Sequence, residues 1–307
     1  MDTILYGMMN WIHWKLRRNA TTKELLEAYL DACTPLSRER YFLTEPMEEV
    51  TLQTDRISWK SPHQDSYIEN NQAQALFFPA FSGDRCAPTL IILHALMSVN
   101  DRGYRRIAKK MNAQGWNVLL PHLPFHYSRC PEKHSSGSLA ITADLVRNGE
   151  TLRQAVKEIR QLMHWSKAQG SSRIGLLATS YGGWIASLIM SLEPVDFAIL
   201  LQPIVDINHA MFQSPLSRIM AYLLTSRGIT AEHLHRHAHL TAPQQGLPQC
   251  LGERLMIIGG TFDKISPPHH LRNCCEKWNG ALYHEVPQGH FGFRAMKLAL
   301  ELMDKFI

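Results

Sequence analysis

Charge is scarce in this sequence. Asp, Glu, Lys and Arg make up 19% of its 307 residues, and the net charge of +5 is spread along the chain. Even so, 45% of the chain is hydrophobic, so it is not a disordered, highly charged polymer. No basic block or aromatic-interleaved basic patch is present, which gives no footprint for nucleic acid. Long apolar runs are missing too. Met1 to Trp14 is rich in large apolar residues but too short to span a bilayer. Its cations, Lys15, Arg17 and Arg18, follow the apolar part with no small-residue cleavage site after them, which is the wrong layout for a signal peptide. The six cysteines (Cys33, Cys86, Cys130, Cys250, Cys274 and Cys275) have no framework spacing, so a reducing compartment, the cytoplasm, is expected. The glycine signatures of dinucleotide and phosphate loops are absent, and no cofactor is expected. No internal repeat or low-complexity run appears.

The most informative stretch is Leu176-Leu177-Ala178-Thr179-Ser180-Tyr181-Gly182-Gly183-Trp184. An apolar strand from Ile174 to Leu177 ends in a small residue, a serine and two glycines, and a helical segment from Trp184 follows. This is the small-x-Ser-x-Gly form of a nucleophile elbow, which lifts a serine hydroxyl clear of a sheet beside a helix N-terminus. Ala178 and Gly182 supply the small side chains that the turn needs two residues either side of Ser180. Backbone N–H groups at that helix start can stabilise a developing negative charge.

A nucleophilic serine requires a histidine base, and the histidine an acid to orient it. The run Arg254 to Asp263 reads as a buried strand entering a glycine-bearing loop with Asp263 at its tip, followed by Lys264-Ile265-Ser266-Pro267-Pro268 opening a helix. A short strand, Ala281 to Val286, leads into Pro287-Gln288-Gly289-His290, so His290 lies just past the last strand. Ser180, Asp263 and His290 thus form a candidate triad in the chain order Ser, Asp, His.

From about Thr89 to the C-terminus the chain resembles the α/β-hydrolase superfamily and, within it, a poorly characterised group of bacterial single-domain serine hydrolases. The resemblance implies an oxyanion site in the loop after the strand Thr89 to Leu93. Relatives commonly carry His-Gly there, where this chain reads His94-Ala95-Leu96-Met97. The implied donors are the backbone N–H groups of Leu96 and Tyr181.

Alternation of strands and helices predicts a mostly parallel central sheet with helices on both faces. Two early strands are read at Val50 to Trp59 and Gln74 to Pro79, then a helix over Gly103–Gln114, a strand over Trp116–Pro121 and a long helix over Asp144–Ala168. Residues 1–45 form a helical extension, with Thr21 and Glu24 spaced as a capping box. Its apolar start either packs on the body or rests on a membrane surface. Residues 46–307 form the hydrolase domain. Residues 206–252 contain no convincing strand and are read as a helical cap over the active site, where Met211 and Phe212 are pocket candidates beside a small ester-like substrate.

Several histidines compete for roles. His94, His122 and His126 fall in loops after central strands, where ligands bind, and are pocket candidates. His233, His235, His237 and His239 alternate. They would share one face of a strand and could then hold a metal, but they diverge on a helix, and no metal is expected. Asp206, after the strand Phe197 to Ile204, is the alternative to Asp263 as the acid. Three functions remain open from sequence: hydrolysis of carboxylic esters, the same triad used for acyl transfer or for thioester or peptide cleavage, and a non-catalytic binding protein on this fold.

Overall fold

The computed structural model describes residues 2–81 and 86–306. Nine strands form one sheet: β1 (Glu48–Gln53), β2 (Arg56–Lys60), β3 (Gln72–Phe78), β4 (Thr89–Leu93), β5 (Asn117–His122), β6 (Ile174–Thr179), β7 (Phe197–Leu201), β8 (Leu255–Gly260) and β9 (Leu282–Val286). Their order is β1-β2-β3-β5-β4-β6-β7-β8-β9. The β1–β2, β2–β3 and β3–β5 pairs are antiparallel, and every pair from β5 through β4 to β9 is parallel. One expected element is corrected. Val50 to Trp59 is not one strand but a hairpin turning at Thr54-Asp55, a polar pair suited to a turn. β1 is exposed along its whole length, whereas Ile57 and Trp59 of β2 are buried.

Ten helices accompany the sheet among the described residues: α1 (Asp2–Lys15), α2 (Lys23–Cys33), α3 (Arg38–Tyr41), α4 (Arg102–Ala113), α5 (Leu145–Ala168), α6 (Tyr181–Met190), α7 (Arg218–Thr225), α8 (Ala231–Thr241), α9 (Pro268–Lys277) and α10 (Arg294–Phe306). None is long and apolar enough to cross a membrane. Period-two alternation along the buried strands decides which layer each residue joins. Ile91, Leu176, Leu200 and Ile257 face α5, α6 and α9, while Leu90, Leu177, Ile199 and Ile258 face α4 and α10. Both faces are covered, which is why β4 and β6 to β8 are almost entirely apolar.

A second layer lies over the carboxyl ends of the strands. Residues 206–252 form a π-helical turn at His209–Gln213, then α7 and α8. With Leu26 and Leu30 of α2 and Leu145 of α5, Met211, Met220, Leu223 and Leu224 of this segment make a separate apolar cluster. Helix α1 packs on the same segment, where the Asn10 side chain donates to the Pro215 carbonyl (3.0 Å) and accepts from the Ile219 N–H (2.8 Å). The cap of α2 is also corrected. Thr22, not Thr21, is the N-cap and accepts from the Leu25 N–H, while the Thr21 hydroxyl donates to Asp144 (2.9 Å) at the start of α5.

Beneath this layer Arg129 is fully buried. Its guanidinium pairs with Glu158 at 2.6 and 2.8 Å and donates to the carbonyls of His122 and Asn70. Glu158 also accepts from the hydroxyl of Ser61. The pair holds the loop after β5 against α5. Glu158→Ala leaves the arginine charge uncompensated and is expected to cost about 3–5 kcal/mol, whereas changing Arg129 and Glu158 together to Met and Leu should cost much less. Urea unfolding of the two variants measures the difference.

Candidate active site

Strand β6 ends at Thr179, and Ser180 follows with φ 52° and ψ −110°, a backbone conformation that a residue with a side chain rarely adopts. Strain of this kind costs on the order of 1–3 kcal/mol and persists only where the surroundings enforce it. The Ser180 N–H donates to the Leu201 carbonyl of β7 (2.9 Å), and α6 starts at once. The glycines after the serine answer to space. A Cβ on Gly182 would lie 2.5 Å from the Leu93 carbonyl oxygen and 2.7 Å from that of His94, and one on Gly183 would meet Pro203 at 2.7 Å. Helix α6 therefore runs against the end of β4 with no room for a larger residue at either position.

The sequence-predicted residues meet. Ser180 Oγ lies 2.7 Å from His290 Nε2, and His290 Nδ1 lies 2.8 Å from Asp263 Oδ2. All three are buried. Asp263 accepts from two further sources: the Ile265 and Ser266 N–H groups bind Oδ1 at 2.8 and 2.9 Å, and the Gln202 amide binds Oδ2 at 2.6 Å. Burial pushes its carboxyl up, but attraction to His290 and these N–H donors outweigh it and hold it below the ordinary carboxylate value. The Asp-x-Ile-Ser-Pro run is thus a turn that folds two amides back onto the acid. Asp206 is elsewhere. It pairs with His270 Nδ1 at 2.8 Å and caps the His209 N–H, away from His290.

Leu96 and Tyr181 line the same cavity as Ser180 and His290. Tyr181 is the first residue of α6, where the backbone N–H has no acceptor within the helix. In the β4 loop the Ala95 N–H is occupied by the Tyr104 hydroxyl (3.1 Å), which leaves Leu96 as the next amide, and Met97 then turns with φ 58°.

The cavity measures about 400 Å³, and its walls are largely apolar. Met211, Ile207, Met220 and Leu216 come from the 206–252 segment, and Leu5, Met8 and Met9 come from α1. Four pocket candidates are corrected. Phe212 packs in the cluster between α2 and α7 and does not line this cavity, because the π-helical turn points it away from Met211. His94, His122 and His126 do not line it either. His94 Nε2 accepts from the Leu123 N–H and its Nδ1 lies 3.0 Å from the Ala95 carbonyl. His126 stacks on the Tyr181 ring, with Nδ1 against the Pro124 carbonyl, and His122 Nδ1 binds Ser128. Burial holds His94 well below its ordinary value and lowers His122 and His126 to about 4. Neutral, they brace the loops behind Leu96 and Tyr181. The alternating histidines of residues 233–239 lie on α8, where their side chains diverge, and among the described residues no group of three His, Cys, Asp or Glu could hold a metal.

Two residues at the site carry no sequence signal. Gln202, held at φ 47° just after β7, bridges Asp263, the Gly289 carbonyl (2.9 Å) and Gln288, so it ties the acid loop to the histidine loop. Asp2 of α1 accepts the His290 backbone N–H at 3.0 Å, across 288 positions of sequence, and also accepts from the Tyr6 hydroxyl.

Comparison with known proteins bears on the fold. The sequence family described as alpha/beta hydrolase domain containing 18 matches residues 89–214, from β4 through the Ser180 turn to the segment after β7. Uncharacterized proteins of Mycobacterium tuberculosis strains H37Rv and CDC 1551 are each 33% identical over 234 residues, covering 74% of this chain and 55% of theirs. The chain thus spans about half the length of the curated relatives it matches. Acetyl xylan esterase 1 from Thermoanaerobacterium superposes with a TM-score of 0.61 at 16% identity, over 95% of this chain and 98% of that one. Est1E from Butyrivibrio proteoclasticus, solved with ferulic acid, gives a TM-score of 0.51 at 16% identity, over 76% and 94%. The family match takes in β4 to β7 and the strained serine turn, and the chain as a whole has the α/β-hydrolase fold.

Proposed function

We propose that the protein is a serine hydrolase of carboxylic esters, with Ser180 as nucleophile, His290 as base and Asp263 as the orienting acid. The observation that carries this reading is the hydrogen-bonded series Ser180–His290–Asp263 at the wall of an apolar cavity. Strain at Ser180 supports a catalytic role over a binding one, since a serine in a passive loop needs no such conformation. That solved esterases share the fold agrees with an ester substrate.

Ser180 Oγ attacks the ester carbonyl carbon as His290 Nε2 takes the hydroxyl proton. The carbonyl oxygen becomes an oxyanion between the N–H groups of Leu96 and Tyr181, each such donor typically contributing ~3 kcal/mol to transition-state stabilisation. Asp263 fixes the Nδ1–H tautomer and stabilises the imidazolium. His290 then protonates the departing alkoxide, and the C–O bond to the alcohol breaks to leave an acyl-serine. Water, deprotonated by the same histidine, attacks that acyl carbon; the bond to Ser180 Oγ then breaks, His290 returns the proton to Oγ, and the carboxylic acid leaves.

Ser180→Ala should abolish labelling by a fluorophosphonate probe and turnover of p-nitrophenyl esters in a chain that still folds. Unchanged turnover in that variant would remove Ser180 from the mechanism. Asp263→Asn should lower kcat by about 10⁴, and Asp206→Asn, which loses only the His270 pair, should do far less. Steady-state kinetics on the purified variants rank the two acids.

The cavity should select apolar acyl groups, each added methylene favouring binding by ~0.8 kcal/mol until the space is filled. Met211, Ile207 and Trp184 also line a neighbouring cavity of about 240 Å³ beneath α8. Met211→Ala should therefore join the two and move the kcat/KM optimum to longer acyl chains, whereas Phe212→Ala should leave the optimum in place. A series of p-nitrophenyl esters from acetate to laurate measures both profiles, and identical profiles for both variants and the parent would remove Met211 as a wall.

A further inference from the structure

Helix α1 is apolar on two faces. Its inner face buries Met9 and Ile12 and gives Leu5 and Met9 to the wall of the Ser180 cavity. Its outer face carries Ile4, Met8, Trp11 and Trp14, which are 77%, 38%, 56% and 47% exposed. These positions recur at helical spacing and so share one broad side of the helix. Isolated exposed apolar side chains are ordinary, but a contiguous stripe of large ones marks a contact surface.

Two observations identify the contact. First, the stripe runs to the mouth of the cavity. Met8 belongs to both, and Val99 and Phe293, 78% and 81% exposed, also line the space that holds Ser180. Whatever covers the outer face of α1 therefore lies at the door of the ester site. Second, cations flank the stripe at its C-terminal end. The Lys15 ammonium sits 3.6 Å from the centre of the Trp11 ring, the Arg17 guanidinium 4.6 Å from that of Trp14, and Arg18 is exposed beside them. Indole rings with an adjoining ammonium or guanidinium match the boundary of an anionic bilayer, where rings settle at the headgroups and cations meet lipid phosphate.

We propose that the outer face of α1 docks the protein on an anionic lipid surface and turns the mouth of the Ser180 cavity toward that surface. The substrate class this implies, esters of apolar acyl chains dissolved in or belonging to the lipid, rests on the ester-hydrolase reading above; the docking itself does not. Leu5 and Met9 then form a continuous apolar path from the lipid to Ser180.

The experiment is co-sedimentation of the full chain with vesicles of phosphatidylcholine, with and without phosphatidylglycerol, alongside hydrolysis of soluble p-nitrophenyl acetate. The expected result is binding that is tighter with phosphatidylglycerol and weakened by salt. Ile4→Gln with Trp11→Gln should reduce vesicle binding by roughly tenfold or more while hydrolysis of the soluble ester is retained, since neither residue lines the cavity. Lys15→Gln and Arg18→Gln should each weaken binding to the anionic vesicles by about fivefold. Ser180→Ala should bind as the parent does. A chain that hydrolyses the soluble ester but ignores both vesicle types overturns the docking and keeps the hydrolase reading, whereas one that binds vesicles but cleaves no ester does the reverse. Sedimentation velocity covers the other occupant: a dimer abolished by the Ile4 and Trp11 substitutions, without vesicle binding, would assign the face to a second copy and overturn the proposal.

Discussion

A single buried carboxylate joins the parts of the molecule that meet at the ends of the strands. Asp263 receives donors from its own loop, from Gln202 after β7 and from His290 after β9. An ionised carboxylate placed in an apolar interior without such partners would cost several kcal/mol. With four donors it is held charged, and each donor segment is fixed in turn. Gln202 completes the arrangement by binding the Gly289 carbonyl with the same amide that binds Asp263. Asp263 holds the His290 ring directly and also determines where three loops lie relative to one another.

The opposing requirement is close approach on the Ser180 side. Ser180 adopts its strained turn because α6 is pressed against the ends of β4 and β7, with Gly182 and Gly183 filling the contact. Behind it, the buried rings of His94 and His126 and the Tyr104 hydroxyl bond backbone groups of the β4 and β5 loops, and His122 binds the Ser128 side chain. The amide of Leu96 stands out because its neighbour at Ala95 is already bound.

Above the strand ends, the N-terminal helices and residues 206–252 form one layer. Asn10 bonds two points of the cap, and Met211, Met220 and Leu224 share an apolar cluster with Leu26 and Leu30. The cavity beside Ser180 is the gap between that layer and the sheet, so its walls come from segments distant in the chain. α1 thus contributes both to the wall of the site and, through Asp2, to the histidine loop.

The sequence by itself determined the parallel strands, their alternation with helices, and the serine turn with Asp263 and His290 in the loops that meet it. Those features are local: a strand shows as an apolar run, a sharp turn as small residues around a serine, and an acid turn as Asp-x-Ile-Ser-Pro, all within a few positions. It also narrowed the carboxylate partner of His290 to two residues, Asp263 and Asp206. Only the tertiary structure decided between them in space, seating one on His290 and the other on His270. The same holds for the turn at Thr54-Asp55, for the placing of Phe212 outside the cavity and Met211 in it, and for the burial of His94, His122 and His126 as braces. Asp2 and Gln202 were illegible for the same reason. Their roles depend on hydrogen bonds to residues far along the chain, and the packing that brings those residues together follows from the whole core rather than from any short pattern.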